Sequence, residues 1–279
     1  MFPWFKKKET EQIEENLTQR NFDDTTAKKI LSNIKKEFGL DYSKQEFITL
    51  RKVERFALQN DIYDFTELAI KIESSRELKE KFINMLTVGE TYFYREEKHF
   101  QILIEHMKNK SINKILCAPC SSGEEVYSIL LSIQNAFAVI PKLTITGIDI
   151  NSKLLEEANR ACYSQRSVSL IPEDILRKNF VFKNEKYCIH PYLKEYVSFE
   201  RKNIFDAAEL KKLGSFDIIF CRNMLIYFDE RQKREALENL RALLTSKGFL
   251  FIGHADISFE PNGFVKIDTH NGIYLQKST

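Results

Sequence analysis

No stretch of this 279-residue sequence approaches the roughly 18 consecutive apolar residues needed to cross a bilayer. The opening Met1-Phe2-Pro3-Trp4-Phe5 runs directly into Lys6-Lys7-Lys8, without the apolar core of a secretion signal. A cytoplasmic protein with no direct membrane insertion is the expectation. Cysteine is sparse, with five residues in all: Cys117, Cys120, Cys162, Cys188 and Cys221. Their odd number, and the position of three of them in apolar stretches that look like strands or strand ends, read as reduced thiols rather than a disulfide framework. Neither sign of charge is in excess. With 42 basic and 40 acidic side chains and a net charge of +2, the chain lacks the basic balance of a nucleic-acid binder. Internal repeats and low-complexity segments are also missing.

What is present is a soluble globular composition, 43% hydrophobic and 29% charged, arranged in two grammars. Residues 1–22 carry mixed charge with few apolar positions and read as a tail. From 23 to 86 the apolar spacing is helical. Ile30, Leu31 and Ile34 form one face, Phe47, Leu50, Val53 and Ala57 the next, then Phe65, Leu68, Ala69 and Ile72, and finally Leu78, Phe82, Met85 and Leu86. Gly39 separates the first two helices and Asp64 caps the third.

From 87 to 279 short apolar runs alternate with amphipathic helices, the pattern of an α/β sheet. Seven strands are predicted: Lys114–Ala118, Leu143–Ile148, Val197–Arg201, Phe216–Cys221, Phe249–Gly253, Phe264–Ile267 and Gly272–Gln276. The last two are close enough to pair antiparallel at the edge of a mostly parallel sheet. Helices are predicted over Glu124–Ala138, Ser152–Cys162 and Asp229–Leu244. The third has Asp229 and Gln232 at capping-box spacing and a stop at Ser246-Lys247-Gly248. A short β-subdomain is expected at about 178–200.

In an open α/β sheet the ligand crevice lies beyond the carboxyl ends of the strands. After the first strand comes Cys117-Ala118-Pro119-Cys120-Ser121-Ser122-Gly123-Glu124-Glu125, where Gly123 allows close backbone approach. The second ends in Gly147-Ile148-Asp149, a carboxylate able to accept two ribose hydroxyls. A later strand ends in Cys221-Arg222-Asn223. The first turn lacks the full G-x-G-x-x-G pattern, which disfavours a pyrophosphate ligand; spacing alone leaves an adenosyl cofactor and a dinucleotide both open.

Four segments then carry a resemblance: Thr87-Val88-Gly89-Glu90-Thr91-Tyr92-Phe93-Tyr94-Arg95-Glu96, Ser121-Ser122-Gly123-Glu124-Glu125-Val126-Tyr127-Ser128, Gly147-Ile148-Asp149-Ile150, and Cys221-Arg222-Asn223-Met224-Leu225-Ile226-Tyr227-Phe228. In this order they resemble the chemotaxis receptor glutamate methyltransferases, the CheR family, from about Ala27 to the C-terminus. The resemblance implies a Rossmann-like S-adenosylmethionine-dependent domain behind a small all-α domain. It further implies methyl transfer to glutamate side chains of chemoreceptors, with S-adenosylhomocysteine as product and no metal.

Carried over by position, the resemblance gives Gly89, Thr91, Arg95, Glu125, Asp149, Asn203, Ile204, Arg222 and Asn223 to the cofactor, and Arg95 and Tyr227 to the reacting centre. Gly89 stands where many relatives have Asn, so a side-chain contact is lost there. A carboxylate nucleophile with a pKa of about 4.3 is ionised at neutral pH and needs alignment rather than a general base. Arg95 would pair with it and Tyr227 would donate a hydrogen bond to it.

Structural roles compete for several of these residues. Glu125 stands in capping-box spacing to Ser122, and Asp149 is placed as a helix cap before Asn151-Ser152. Tyr227 has a competing role as an aromatic anchor. His254 reads as a structural hydrogen-bonder. Cys117 and Cys120 form a C-x-x-C, but no second Cys/His pair stands at zinc spacing.

In the family, a basic helix of the N-terminal domain docks the receptor's cytoplasmic helical domain. Here residues 1–86 hold 16 basic and 16 acidic side chains, so the candidate is local: Lys44, Arg51, Lys52 and Arg55. Relatives that tether to a receptor's C-terminal peptide have a Gly-containing loop in the β-subdomain. This chain has the shorter, glycine-free Val181-Phe182-Lys183-Asn184-Glu185-Lys186-Tyr187-Cys188, which implies no such tether. A monomer is expected.

Overall fold

Among the described residues of the N-terminal unit, side-chain caps start three of the four helices. Asp23 accepts from Thr26 N ahead of α1 (Asp24–Phe38). α2 (Glu46–Gln59) has no side-chain cap and follows a single 3-10 turn at Ser43–Gln45. Asp64 accepts from Thr66 N and Glu67 N at α3 (Phe65–Ser74), and Ser75 accepts from Leu78 N at α4 (Arg76–Leu86). Gly39 ends α1 in the left-handed region, at φ 75°. The chain is described by a computed structural model over residues 21–253 and 256–278, and it divides into two compact units between Thr87 and Val88. Most of the expected tail, and His254, lie outside the described residues. Asn21 and Phe22 are described. Asn21 bridges to Asp64, and the Phe22 ring packs on Phe65 with centroids 4.7 Å apart.

One predicted face is corrected. The buried side of α2 is Thr49, Val53, Phe56 and Ala57, whereas Phe47 is 71% exposed. At 3.6 residues per turn Phe47 lies about 120° round the helix from Val53, so it cannot share that face. The Arg51 guanidinium sits over its ring at 5.5 Å instead.

The second unit opens with α5 (Lys98–Asn109) and alternates strand and helix: β1 (Lys114–Cys117), α6 (Glu124–Ala136), β2 (Thr144–Asp149), α7 (Ser152–Arg160), then β3 (Cys162–Tyr163). It continues through α8 (Glu173–Asn179), β4 (Phe180–Lys183), β5 (Lys186–Ile189), α9 (Pro191–Lys194) and β6 (Val197–Arg201). The last part runs α10 (Ala207–Lys211), β7 (Phe216–Cys221), α11 (Glu230–Leu243), β8 (Leu244–Ile252), β9 (Phe264–Thr269) and β10 (Gly272–Lys277).

The main sheet has the order β6-β2-β1-β7-β8-β10-β9. It is parallel except where β10 runs antiparallel to β8 and β9. This is the expected Rossmann-like seven-stranded sheet with an antiparallel edge. Successive side chains of a strand face opposite sides, and the core is divided accordingly. Ile115, Cys117, Ile218, Phe220, Phe249 and Phe251 pack towards α5 and α6. Leu116, Ile219, Cys221 and Leu250 pack under Ala236, Leu237, Leu240 and Leu243 of α11.

The capping box at Asp229 and Gln232 forms, but no loop follows the helix. β8 begins at Leu244, so Ser246-Lys247-Gly248 lies within the strand rather than forming a stop. Pairing with β7 shifts register across this stretch, from Phe216↔Leu244 to Ile218↔Phe249. Lys247 takes a φ of 62° to absorb the irregularity.

The small insertion forms a three-stranded sheet, β3-β5-β4. β4 and β5 join through Asn184 and Glu185, both left-handed at φ 50° and 57°. That is the two-residue turn whose twist suits a tight hairpin. The structure also corrects the thiol reading, because Cys162 and Cys188, opposite each other on β3 and β5, are joined as a disulfide. Cys117, Cys120 and Cys221 are free and buried. Thiol titration of protein unfolded without reductant is expected to find three reactive groups, rising to five after reduction.

Candidate functional site

Strand order reverses between β1 and β7. The chain runs from β1 outward to β2 and β6 on one side, then returns to β7 and β8 on the other. A ligand crevice is expected at the carboxyl ends of these strands, and the segments leaving them are bound to one another there. Ala118 N donates to Phe220 O at 2.8 Å and Cys120 N to Ile148 O at 2.8 Å. Ser121 N reaches Asp149 Oδ2 at 2.9 Å. At the end of β6, Lys202 N donates to Asp149 O at 3.1 Å, which brings Asn203 and Ile204 beside the end of β2. Asn203 Oδ1 accepts from Phe205 N at 3.1 Å, and Ile204 is buried.

Gly123 precedes α6 with φ 92°, and a Cβ there would lie 2.9 Å from the Ala158 Cβ and 3.1 Å from the Tyr163 hydroxyl. Both the conformation and the packing therefore demand glycine. The capping box considered for Ser122 and Glu125 does not form. No side chain caps α6, and Ser122 Oγ donates to Glu124 Oε2 at 2.7 Å. Glu125 turns instead to Arg222, 97 residues away. The Arg222 side chain is only 2% exposed. It donates through Nε to Glu125 Oε2 and through Nη1 to the Arg95 carbonyl at 2.8 Å, with its guanidinium 5.2 Å from the Phe100 ring centroid.

The segment from Gly89 to Glu96 is fastened to the same rim. Ser121 Oγ donates to Gly89 O at 3.3 Å, Phe93 N to Ser167 O at 3.1 Å, and Tyr94 N to Ser128 Oγ at 3.0 Å. Thr91 is half-buried between these anchors. The Arg95 guanidinium donates to Glu90 O and lies 5.7 Å from the Tyr92 ring centroid, with no carboxylate partner among the described residues. Asn223 leaves β7 in the left-handed region at φ 59°. Tyr227 ends a short 3-10 turn and is 42% exposed, which is not the burial of an aromatic anchor.

Asp149 is not the cap of α7, since Asn151 is. Its two oxygens accept from Ser121 N and Asn151 N. Burial pushes its pKa upward, against the stabilising N–H groups of Asn151, Ser121 and Ile150. Glu124 is also pushed up by burial, opposed by hydrogen bonds from Ser122 and Ser167. Sequence reading passed over Glu124, Ser167 and Asp256. Glu124 adjoins a predicted contact, but nothing in its spacing marked a bond to Ser167, 43 residues on. Burial pushes the Cys117 and Cys120 thiols well above their ordinary value, which removes the thiolate that redox or zinc chemistry at this C-x-x-C requires.

The alternatives left open by spacing separate here. The rim gathers Glu124, Glu125 and Asp149, while its buried cation, Arg222, is already paired with Glu125. Such a site repels a pyrophosphate and suits a nucleoside carrying positive charge. Glu125 Oε1 is buried on the side of the Cys117 thiol. These features place a candidate cofactor site, better suited to a nucleoside than to a dinucleotide, at the carboxyl ends of a Rossmann-like sheet.

Comparison with known proteins agrees. The family model described as "CheR methyltransferase, SAM binding domain" matches residues 89–273. The chain is 38% identical to the chemotaxis protein methyltransferase of Campylobacter jejuni, over 86% of this chain and 91% of that protein. It is 34% identical to chemotaxis protein methyltransferase 2 of Vibrio cholerae, over 77% and 78%, and 31% identical to the Salmonella typhimurium chemotaxis protein methyltransferase, over 76% of each. The chain belongs to the CheR methyltransferase family and is an S-adenosylmethionine-dependent methyltransferase.

Proposed function

We propose that this enzyme methylates glutamate side chains on the cytoplasmic helical domain of chemoreceptors, giving glutamyl methyl esters and S-adenosylhomocysteine, and that it works in the cytoplasm without a metal. No helix among the described residues is long and apolar enough to cross a membrane. The observation that carries the reading is the Arg222–Glu125 pair, which draws the exit of β7, the start of α6 and the Arg95 segment into one acidic rim.

S-adenosylmethionine supplies a methyl group on a sulfonium sulfur. Asp149 takes the ribose and Glu125 the ammonium, while Asn203 and Ile204 take the adenine. Gly89, Thr91, Arg222 and Asn223 complete the walls. The Arg95 guanidinium, with no carboxylate partner among the described residues, receives the substrate carboxylate, and the exposed Tyr227 hydroxyl orients it. Tyr227→Phe is expected to lower turnover about tenfold while S-adenosylhomocysteine binds as before; unchanged turnover would remove Tyr227 from the mechanism. Incubation with labelled methyl donor and a receptor cytoplasmic fragment tests the whole reading. A glutamyl ester releases methanol in base, and base-stable label would point to another acceptor.

The receptor is held through the helical unit, on the exposed Lys44, Arg51, Lys52 and Arg55, beside the exposed Phe47 and Ile48. The two-residue Asn184-Glu185 turn leaves the β-subdomain without the longer loop of tethered relatives. Calorimetry with a receptor's terminal pentapeptide is therefore expected to show no micromolar binding. The enzyme acts as a monomer, which sedimentation would report directly.

A further inference from the structure

We infer that Asp256 is a positioning residue of this enzyme, its buried carboxylate clamping the loop that leaves β7 to the end of β8. The inference rests on the reading that this loop presents Asn223 to the cofactor and Tyr227 to the reacting centre. Asp256 is fully buried. Its Oδ2 accepts from Asn223 N at 2.9 Å and from Gly253 N at 2.6 Å. A single carboxylate oxygen thus joins the first turn of the 222–228 loop to the end of β8.

Two features show that the arrangement is built for this purpose. A Cβ on Gly253 would lie 2.6 Å from Asp256 Oδ2 and 3.0 Å from Asn223 N, so only glycine admits the carboxylate between the two backbones. Asp256 is itself held from the far side, where Lys233 Nζ of α11 donates to its carbonyl at 2.7 Å. The anchored residue, Asn223, has a left-handed φ of 59°, a conformation that asparagine accepts more readily than other non-glycine residues. The turn it makes directs the loop, and an acceptor at its amide fixes that direction. Asp256 supplies that acceptor without reaching the substrate.

The role needs an oxygen acceptor in place, and Asp256→Asn retains one while Asp256→Ala does not. In the full-length enzyme, Asp256→Ala is expected to lower kcat about tenfold or more, and Asp256→Asn to stay within about threefold of wild type. The Asp256→Ala loss should nearly vanish on a Tyr227→Phe background, because both changes act through one loop. Loss of folded protein alone would lower activity equally on both backgrounds.

Equal activity of Asp256→Ala and wild type, equal loss in Asp256→Ala and Asp256→Asn, or simple additivity with Tyr227→Phe would each overturn the inference. If Asp256→Ala does not fold, hydrogen exchange in wild type and Asp256→Asn decides. Protection of the 222–228 amides comparable to β7 supports the clamp, and exchange at the rate of an exposed loop overturns it. Failure of the underlying reading is separately visible: Asn223→Ala would then bind S-adenosylhomocysteine normally and Tyr227→Phe would turn over normally.

Discussion

Replacing Arg222 with methionine is expected to destabilise the catalytic unit by about 3–5 kcal/mol, the usual consequence of removing one partner of a buried ion pair. The loss comes mainly from what remains. Glu125, whose side chain is only 12% exposed, keeps a charge with no counter-ion, and the Arg95 carbonyl loses its 2.8 Å donor. Turnover should fall about a hundredfold in protein that still folds, because the Arg95 end of the Gly89–Glu96 segment loses its tie to the rim and misplacement of about 1 Å is enough for such a loss. Urea denaturation and single-turnover kinetics separate the two effects. The double variant Glu125→Gln with Arg222→Met should recover most of the stability, since no buried charge is stranded, but little of the activity. Equal stability of the single and double variants would show that the pair is not the buried contact described.

The second large effect concerns acid. His99 packs its ring near Phe251, with centroids 5.2 Å apart, and burial, then the Arg222 charge, lowers its pKa to about 4. Glu96, at 3.8 Å from Nδ1, does not reverse this. In the unfolded chain the imidazole titrates near about 6.5. Between those values the unfolded state binds more protons than the folded one, so stability rises with pH across the window and is lost on acidification. The contribution is intact above about pH 6.5 and gone below about pH 4, for a total of about 3 kcal/mol. About 2 kcal/mol of this falls between pH 7 and pH 5.

Asp149, Glu124 and Asp256 act in the opposite direction, because burial raises their pKa values. His99→Phe leaves them in place, so the difference between wild type and variant isolates the histidine. That variant should match or exceed wild type at pH 7 and lose about 2 kcal/mol less on going to pH 5. Parallel stability curves for the two proteins would refute the assignment.

How much of this was legible beforehand depended on distance along the chain. Phe216–Cys221 was readable to the residue because a buried parallel strand announces itself as an apolar run bounded by turn residues, and the edge strand Val197–Arg201 because its half-buried and exposed side chains alternate. Asp229 and Gln232 were readable because a capping box is a local object. The contact between Glu125 and Arg222 was not, although both residues were singled out: a hydrogen bond across 97 positions is set by strand order, which spacing does not encode. The Cys162–Cys188 bond escaped for the same reason, since it depends on β3 and β5 lying side by side. Phe47 misled because an aromatic residue at near-helical spacing imitates a core position, and only the packing of Val53 and Phe56 shows which way the helix is turned. Asp256 carried no signal at all. A lone acid after a strand gains meaning only when the backbone N–H groups that surround it are known.

The Arg222 guanidinium has a dynamic consequence as well as an electrostatic one. Donating to the carbonyls of Arg95 and Glu96, it makes that segment part of the same cooperative unit as strand β7. A segment tied in this way has no private opening event; its amides exchange with solvent only when the sheet itself gives way.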